Sequence, residues 1–179
     1  MREGKPRHGD ICLAGQWSSG HVVGEQFKRL AGIDIGHVPY RGAAPASQDL
    51  DAGHFSMMFD IVPLARPQIV AGKLRGLAVA SPQRLAAIPD VPTTVEAGFP
   101  DIEEGSWFGI VAPARAPRAI IDLLNAEDLK AFSAPNVSDR FLSKGILLPL
   151  GTPEQYGAFI EAEHKRWGEI IRSVNIRLE

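Results

Sequence analysis

The sequence predicts an α/β fold: a mainly parallel sheet, followed by a helical carboxyl-terminal part. Two observations carry this. Short apolar runs alternate with amphipathic stretches of helical period between residue 11 and about residue 80, the pattern of strand–helix–strand units. Beyond residue 117 helical periodicity dominates, and the chain shows neither an internal repeat nor a low-complexity run.

In chain order, residues 1–9 are polar and turn-rich and are expected to be a disordered lead-in. Residues 11–13 form a short apolar run suited to a buried strand, and the lone Cys12 within it reads as a buried structural thiol. The turn Ala14-Gly15-Gln16-Trp17-Ser18-Ser19-Gly20-His21 follows, where Ser18 or Ser19 suits the N-cap of a helix. Val23, Phe27, Leu30 and Ala31 share that helix's apolar face, and Gly32 suits its end. A strand over 36–38, the loop Tyr40-Arg41-Gly42-Ala43 and a short helix over 45–52 come next. The apolar run 55–59, bounded by Gly53 and Asp60, predicts a strand buried on both faces, with Met57 and Met58 as core residues. A short helix over 63–71 has to bend at Pro67 or begin late; Gly72 ends it, and 74–80 reads as a strand.

Residues 81–100 gather proline and loop formers around Ile88-Pro89-Asp90-Val91-Pro92, with one helical turn at 94–97. They predict a connection between two lobes. A strand over 107–111 leads to a helix from Pro117 to about Ala131, with Ile120, Ile121, Leu124 and Ala131 on its inner side. A helix over 137–144 stopped by Gly145 and a strand over 146–150 follow. Thr152-Pro153-Glu154-Gln155 has the form of a capping box, opening a helix with Tyr156, Ile160, Trp167, Ile171 and Val174 along one face.

The chemistry concentrates in the first third. A strand-to-helix turn leaves the first helical N–H groups unpaired at the positive end of the helix dipole, which binds anions. In a parallel sheet the loops after successive strands share one edge, so Gly15, Ser18 and Ser19 are expected to meet Tyr40, Arg41, Gly42 and Asp60 there. Each residue also has a plainer reading. Ser18 and Ser19 can simply cap a helix, and Arg41 can clamp a carboxylate or face water. Asp60 can receive an ammonium or hydroxyl, or bond its own turn. His21 can donate to a carboxylate or pack, and Tyr40 can offer its hydroxyl or pack with that hydroxyl partnered.

Other chemistries fail on their residues. Gly15 to Gly20 has the glycine spacing of a phosphate-binding loop, but His21-Val22 replace the required Lys and Ser/Thr. A hydrolase from Ser18 or Ser19, His21 and Asp60 lacks the Gly-x-Ser-x-Gly elbow, and no enzyme activity is expected. The histidines are too dispersed for the usual zinc spacings, so no metal and no cofactor are expected. Nineteen Lys and Arg against 21 Asp and Glu leave a net charge of −2, with no basic excess for nucleic acid. No apolar run approaches a bilayer span, so no membrane insertion is expected.

Taken in order, Ala-Gly-Gln-Trp-Ser-Ser-Gly-His, His-Val-Pro-Tyr-Arg-Gly-Ala-Ala-Pro-Ala, Met-Met-Phe-Asp, Ala-Gly-Lys-Leu-Arg-Gly-Leu-Ala-Val, Ile-Pro-Asp-Val-Pro-Thr and Ser-Trp-Phe-Gly-Ile-Val-Ala-Pro resemble the substrate-binding proteins of tripartite tricarboxylate transporters, the Bug family. The resemblance runs from about Ile11 to Ile176. It implies a two-lobed, type II periplasmic-binding-protein fold that closes on a small carboxylate and passes it to membrane permease subunits without chemistry. Against that pattern the chain starts inside the second lobe. Residues 1–10 are then a lead-in, 11–105 the ligand-binding α/β second lobe, and 106–179 a crossover strand and helices belonging to a first lobe that is largely missing. Ser18, Ser19 and the nearby backbone would supply the anion pocket, Arg41 the countercharge, and Asp60 and Tyr40 selectivity.

The family is periplasmic, yet the charged start from Met1 to His8 is followed by no apolar signal core, so the chain as written is expected to stay in the cytoplasm. Departures from the family pattern are Trp17 for a glycine, Arg41 for the usual lysine, Ala43 for a frequent second glycine, and Asp51 and Asp128 at apolar positions. They keep two alternatives open: a truncated, non-binding remnant, and a cytoplasmic ligand-sensing module.

Overall fold

The computed structural model describes residues 10–13, 15, 18–102 and 106–173. The expectations placed on residues 1–9, on Trp17 and on Val174 fall outside these. Three parallel strands form the sheet in the order β2-β1-β3: β1 (Ile11–Leu13) in the centre, β2 (His37–Pro39) and β3 (Met57–Met58). Ile11 stands opposite His37 and Met57, and Cys12 opposite Val38 and Met58. Helix α1 (Ser19–Ala31) crosses from β1 to β2, α2 (Ala43–Asp51) from β2 to β3, and α3 (Val62–Val70) leaves β3. The alternation read from the sequence is the observed one as far as β3, which is shorter than expected.

Ile11 and Cys12 are wholly buried, because the central strand is covered on both faces. Cys12 packs with Ala46 and Phe55 inside a shell of Val38, Tyr40, Leu50 and Met58. Its Sγ lies 3.6 Å from Ala46 O and 3.7 Å from Met57 O. Met57 and Met58 are only half-buried, contrary to expectation, since β3 is an edge strand of a three-stranded sheet. Burial pushes the Cys12 thiol up to about 11. The sign follows directly: the folded state holds this proton more tightly than the unfolded chain, where the value is about 8.5. The stabilisation is therefore complete below that value and drains away as pH rises toward the folded one. The expected outcome is that a thiol reagent leaves Cys12 unlabelled at neutral pH in the folded chain and labels it at once in denaturant.

Helix α1 follows its capping residues. Ser18 is the N-cap, its Oγ accepting from the His21 N–H at 3.3 Å, and Gly32 closes the helix in the left-handed region at φ 64°. Its buried residues are Val22, Val23, Gly24 and Gln26, a wider face than the expected Val23, Phe27, Leu30 and Ala31. The reason is a second covering layer. Phe27 meets the rings of Phe59 and Phe99, and Gln26 Nε2 donates to Asp101 O at 2.8 Å.

That layer is formed by the proline-rich stretch expected to connect two lobes. Leu85, Ile88, Val91 and Ile102 are all buried, and the first three pack with Val79. A reciprocal Thr93–Glu96 pair holds its one helical turn: Thr93 N–H donates to Glu96 Oε2 at 2.7 Å and Glu96 N–H to Thr93 Oγ1 at 3.1 Å. Residues 74–80 are no strand, only a single parallel bridge from Val79 to Thr93. Pro67 sits inside α3, which starts at Val62 and tolerates one missing donor in a nine-residue helix.

The carboxyl-terminal part consists of α4 (Arg118–Ser133), α5 (Pro135–Leu142) and α6 (Pro153–Ser173). The capping box is formed as read: Thr152 N–H donates to Gln155 Oε1 at 2.8 Å and Gln155 N–H to Thr152 Oγ1 at 3.2 Å. The expected strands at 107–111 and 146–150 are absent among the described residues. Both are apolar runs of strand length, but no strand among the described residues pairs with them, and Phe108 is 88% exposed and Val111 77%. No described residue beyond Ile102 is buried, and Ile120 and Leu124, expected to face inward, are each 47% exposed. Asp51 faces solvent and pairs with Lys73 at 3.6 Å, whereas Asp128 is half-buried. The chain exposes 12526 Å², where a compact monomer of 19.4 kDa is expected to expose about 8500 Å².

Candidate functional site

Because all three strands run parallel, the turns after β1, β2 and β3 emerge at one edge of the sheet. Two close approaches tie them together. A Cβ placed on Gly20 would lie 3.1 Å from Phe59 O, and one on Gly15 would lie 3.9 Å from Tyr40 O. The first turn of α1 therefore rests on the β3 turn, and the β1 turn on the β2 turn.

Three helix N-termini converge at this edge. In α1 the Ser18 cap satisfies the His21 N–H and Ser18 O accepts from Val22, and the Ser19 and Gly20 amides have no partner among the described residues. Helix α2 has Gly42 at its N-cap and no side chain bonding its first amides. Gly42 adopts φ 116° and ψ 170°, a region essentially reserved for glycine, so the loop brings bare backbone to the edge. Helix α3 begins after Ile61, again without a side-chain cap. Each of the three helix N-termini brings partial positive charge to this edge of the sheet.

The charged groups add to this. Arg41 is exposed and makes no hydrogen bond or ion pair among the described residues. Asp60 is half-buried, and its Oδ1 accepts the Ile61 N–H at 2.8 Å. Burial raises its carboxyl above the usual range, with the Ile61 hydrogen bond opposing. Ser18 Oγ is also committed, donating to Gly15 O at 2.9 Å, whereas Ser19 Oγ reaches Ser106 Oγ at 3.3 Å. Ser106 is a residue the sequence reading missed. It opens the extended segment whose Trp107 donates to Glu163 Oε2 at 3.1 Å and packs edge-on to Phe159.

Two expected site residues turn out otherwise engaged. The Tyr40 hydroxyl donates to Asp49 Oδ2, and its ring packs edge-on against Phe55 at 5.7 Å. It is the packed, partnered tyrosine of its second reading, and burial raises its hydroxyl's proton affinity further. His21 packs edge-on against His37 with ring centroids 4.8 Å apart. Burial lowers the proton affinity of both imidazoles.

Comparison with known proteins agrees with this architecture. A family model described as the tripartite tricarboxylate transporter family receptor, TctC, matches residues 5–176. A UPF0065 protein from the tcbD-tcbE intergenic region of a Pseudomonas species is 39% identical over 162 residues, covering 90% of this chain and 48% of that protein. Protein BugT of Bordetella pertussis is 32% identical over 177 residues, covering 98% and 54%. The chain thus spans about half the length of these two relatives, although it covers 94% of a UPF0065 protein of Pseudomonas knackmussii at 34% identity.

Among solved structures, a periplasmic transporter superposes with TM-score 0.89 at 35% identity, over 97% of this chain and 58% of that one. An R. palustris protein with adipate gives 0.87 at 31%, over 96% and 57%. MatC from Rhodopseudomonas palustris with bound malate gives 0.78 at 29%, over 92% and 57%. The fold is therefore α/β of the periplasmic-binding-protein kind, and the chain belongs to the tripartite tricarboxylate transporter receptor family, TctC.

Proposed function

We propose that this chain is the carboxylate-holding part of a solute-binding protein and performs no chemistry on its ligand. The observation that carries the reading is the meeting of three helix N-termini and the exposed Arg41 at one sheet edge. An anion there gains free amides from α1 and α2 and a planar guanidinium able to grip both carboxylate oxygens. Gly15, Ser18, Ser19 and Gly42 shape the backbone cradle. His21 and Tyr40 brace it through their packing, and Asp60 receives a hydroxyl or ammonium. The relatives solved with adipate and malate make a small dicarboxylate the favoured ligand class.

In this reading residues 11–105 are the ligand-binding lobe and 106–179 the elements that lean on the other lobe. The burial boundary at Ile102 and the apolar surface of Phe108, Ile110 and Val111 support that division. In the whole protein the two lobes trap the ligand and present it to permease subunits from the periplasm. The exposed apolar surface also favours a second reading, a remnant that binds nothing.

Thermal-shift titration of the chain with adipate, malate and neutral adipamide separates them. One lobe alone is expected to bind the acids in the millimolar range, about −4 kcal/mol. At ten times the dissociation constant the stabilisation is about 1.4 kcal/mol, a rise of roughly 3–6 °C for the acids and none for adipamide. No rise with either acid contradicts the proposal and leaves the remnant.

A further inference from the structure

A second polar cluster lies on the flank of α1, built from residues the carboxylate reading does not need as donors. His21 and Glu25 stand one helical turn apart, and His37 opens β2 beside them. Each offers one ligating atom, and these three atoms lie within 4.8 Å of one another. Glu25 Oε1 is 3.1 Å from His37 Nε2, yet this buried nitrogen has no hydrogen-bond partner among the described residues. The His37 side chain is only 12% exposed. Withdrawing such a nitrogen from water without replacing its hydrogen bond is costly, and a ligand in the cluster would relieve it. The three residues line an open cleft of about 340 Å³, ample for an ion with its waters.

We propose that His21, Glu25 and His37 bind a first-row divalent transition-metal ion, zinc above all. Two imidazoles and one carboxylate are the donor set of open zinc sites, in which water takes the fourth position. Tetrahedral donors at zinc bond lengths sit about 3.3–3.6 Å apart, so the widest separation has to close by roughly 1.2–1.5 Å, within reach of rotation about the Glu25 and His21 side-chain bonds. Ligation requires neutral imidazoles, and burial already favours that form at both histidines.

The neighbouring charges permit the ion. Lys28 Nζ is 3.3 Å from Glu25 Oε1 and 3.8 Å from Asp34 Oδ1. A metal on Glu25 displaces the ammonium, which keeps Asp34. Bound there, the ion links α1 to β2 across the sheet flank and stabilises the folded chain by mass action.

The test uses the full 179-residue chain, stripped by chelator and titrated with Zn²⁺ alone and with Co²⁺ alone. The expected result is saturation at one equivalent, a rise in melting temperature with Zn²⁺, and visible ligand-field absorption from four-coordinate Co²⁺. Glu25→Gln is expected to weaken binding about tenfold or more, and His37→Asn to abolish it. His164→Asn, on α6, is expected to leave it unchanged. X-ray absorption of the zinc-loaded natural chain is expected to count two imidazoles, which decides the matter even where His37→Asn fails to fold. Absence of saturable one-equivalent binding, fewer than two imidazoles at the zinc, or loss of binding in His164→Asn alone overturns the proposal.

Discussion

Replacing Arg41 with alanine is expected to weaken adipate binding by about 10–150-fold while moving the melting temperature by no more than about 2 °C. The asymmetry follows from position. Arg41 is exposed and bonds nothing among the described residues, so folding does not depend on it. In the proposed site the bound carboxylate does, because a charge-assisted pair to a planar guanidinium is worth about 1.5–3 kcal/mol. Arg41→Glu removes the pair and adds repulsion, and binding is expected to vanish. Arg41→Lys keeps the charge without the fork and is expected to fall between. Calorimetric titration alongside melting curves checks all three, and equal losses in both measurements would assign Arg41 to the fold rather than to the ligand.

Asp60→Asn is expected to do the reverse: raise stability at neutral pH and disturb recognition. Burial lifts the Asp60 carboxyl above its usual range, so its ionised form is a burden on the folded state. For such a group the folded state binds the proton more tightly than the unfolded chain. Its burden is therefore present above the folded value and disappears as pH falls below the unfolded one, about 3.9. Asparagine keeps an oxygen for the Ile61 N–H and carries no charge. The variant is expected to melt higher at pH 7, by about 2–4 °C for each kcal/mol recovered, and to lose that advantage near pH 3.

Other carboxylates move oppositely. Hydrogen bonds hold Asp49, Glu96 and Glu163 below the usual range, so their contribution is lost on acidification. Comparing the variant with the natural chain at each pH cancels them. Malate affinity, which depends on a partner for its hydroxyl, is expected to change more than adipate affinity.

Helix ends were the most legible features of this sequence. Ser18 and Gly32 bound α1, and Thr152 with Gln155 opens α6, because capping is decided by residues a few positions apart. Strands were overread at 74–80, 107–111 and 146–150. A strand needs a partner to pair with, and a short apolar run records only the demand for one.

The layer formed by residues 81–102 was hidden for a similar reason. Its prolines signal turns, whereas burial of Leu85, Ile88 and Val91 against Val79 depends on packing that a local window does not contain. The shared sheet edge was legible from strand–helix alternation alone. The partners of Tyr40 and His21 were not: Asp49 lies nine residues on, and His37 is brought in by the parallel register of β2. The spacing of His21 and Glu25 on one helix face was the visible half of the polar cluster, with its third member supplied by the sheet.

The most direct measurement is an adipate titration of the isotope-labelled chain followed by amide NMR, which locates weak binding residue by residue. Progressive, saturable shifts are expected at Ser19, Gly20, Arg41 and Gly42, with Asp60 and Ile61 following and α4 and α5 silent. Shifts gathered on α4 to α6, or none at any of these amides at saturating concentration, would contradict an anion cradle at the joined helix ends.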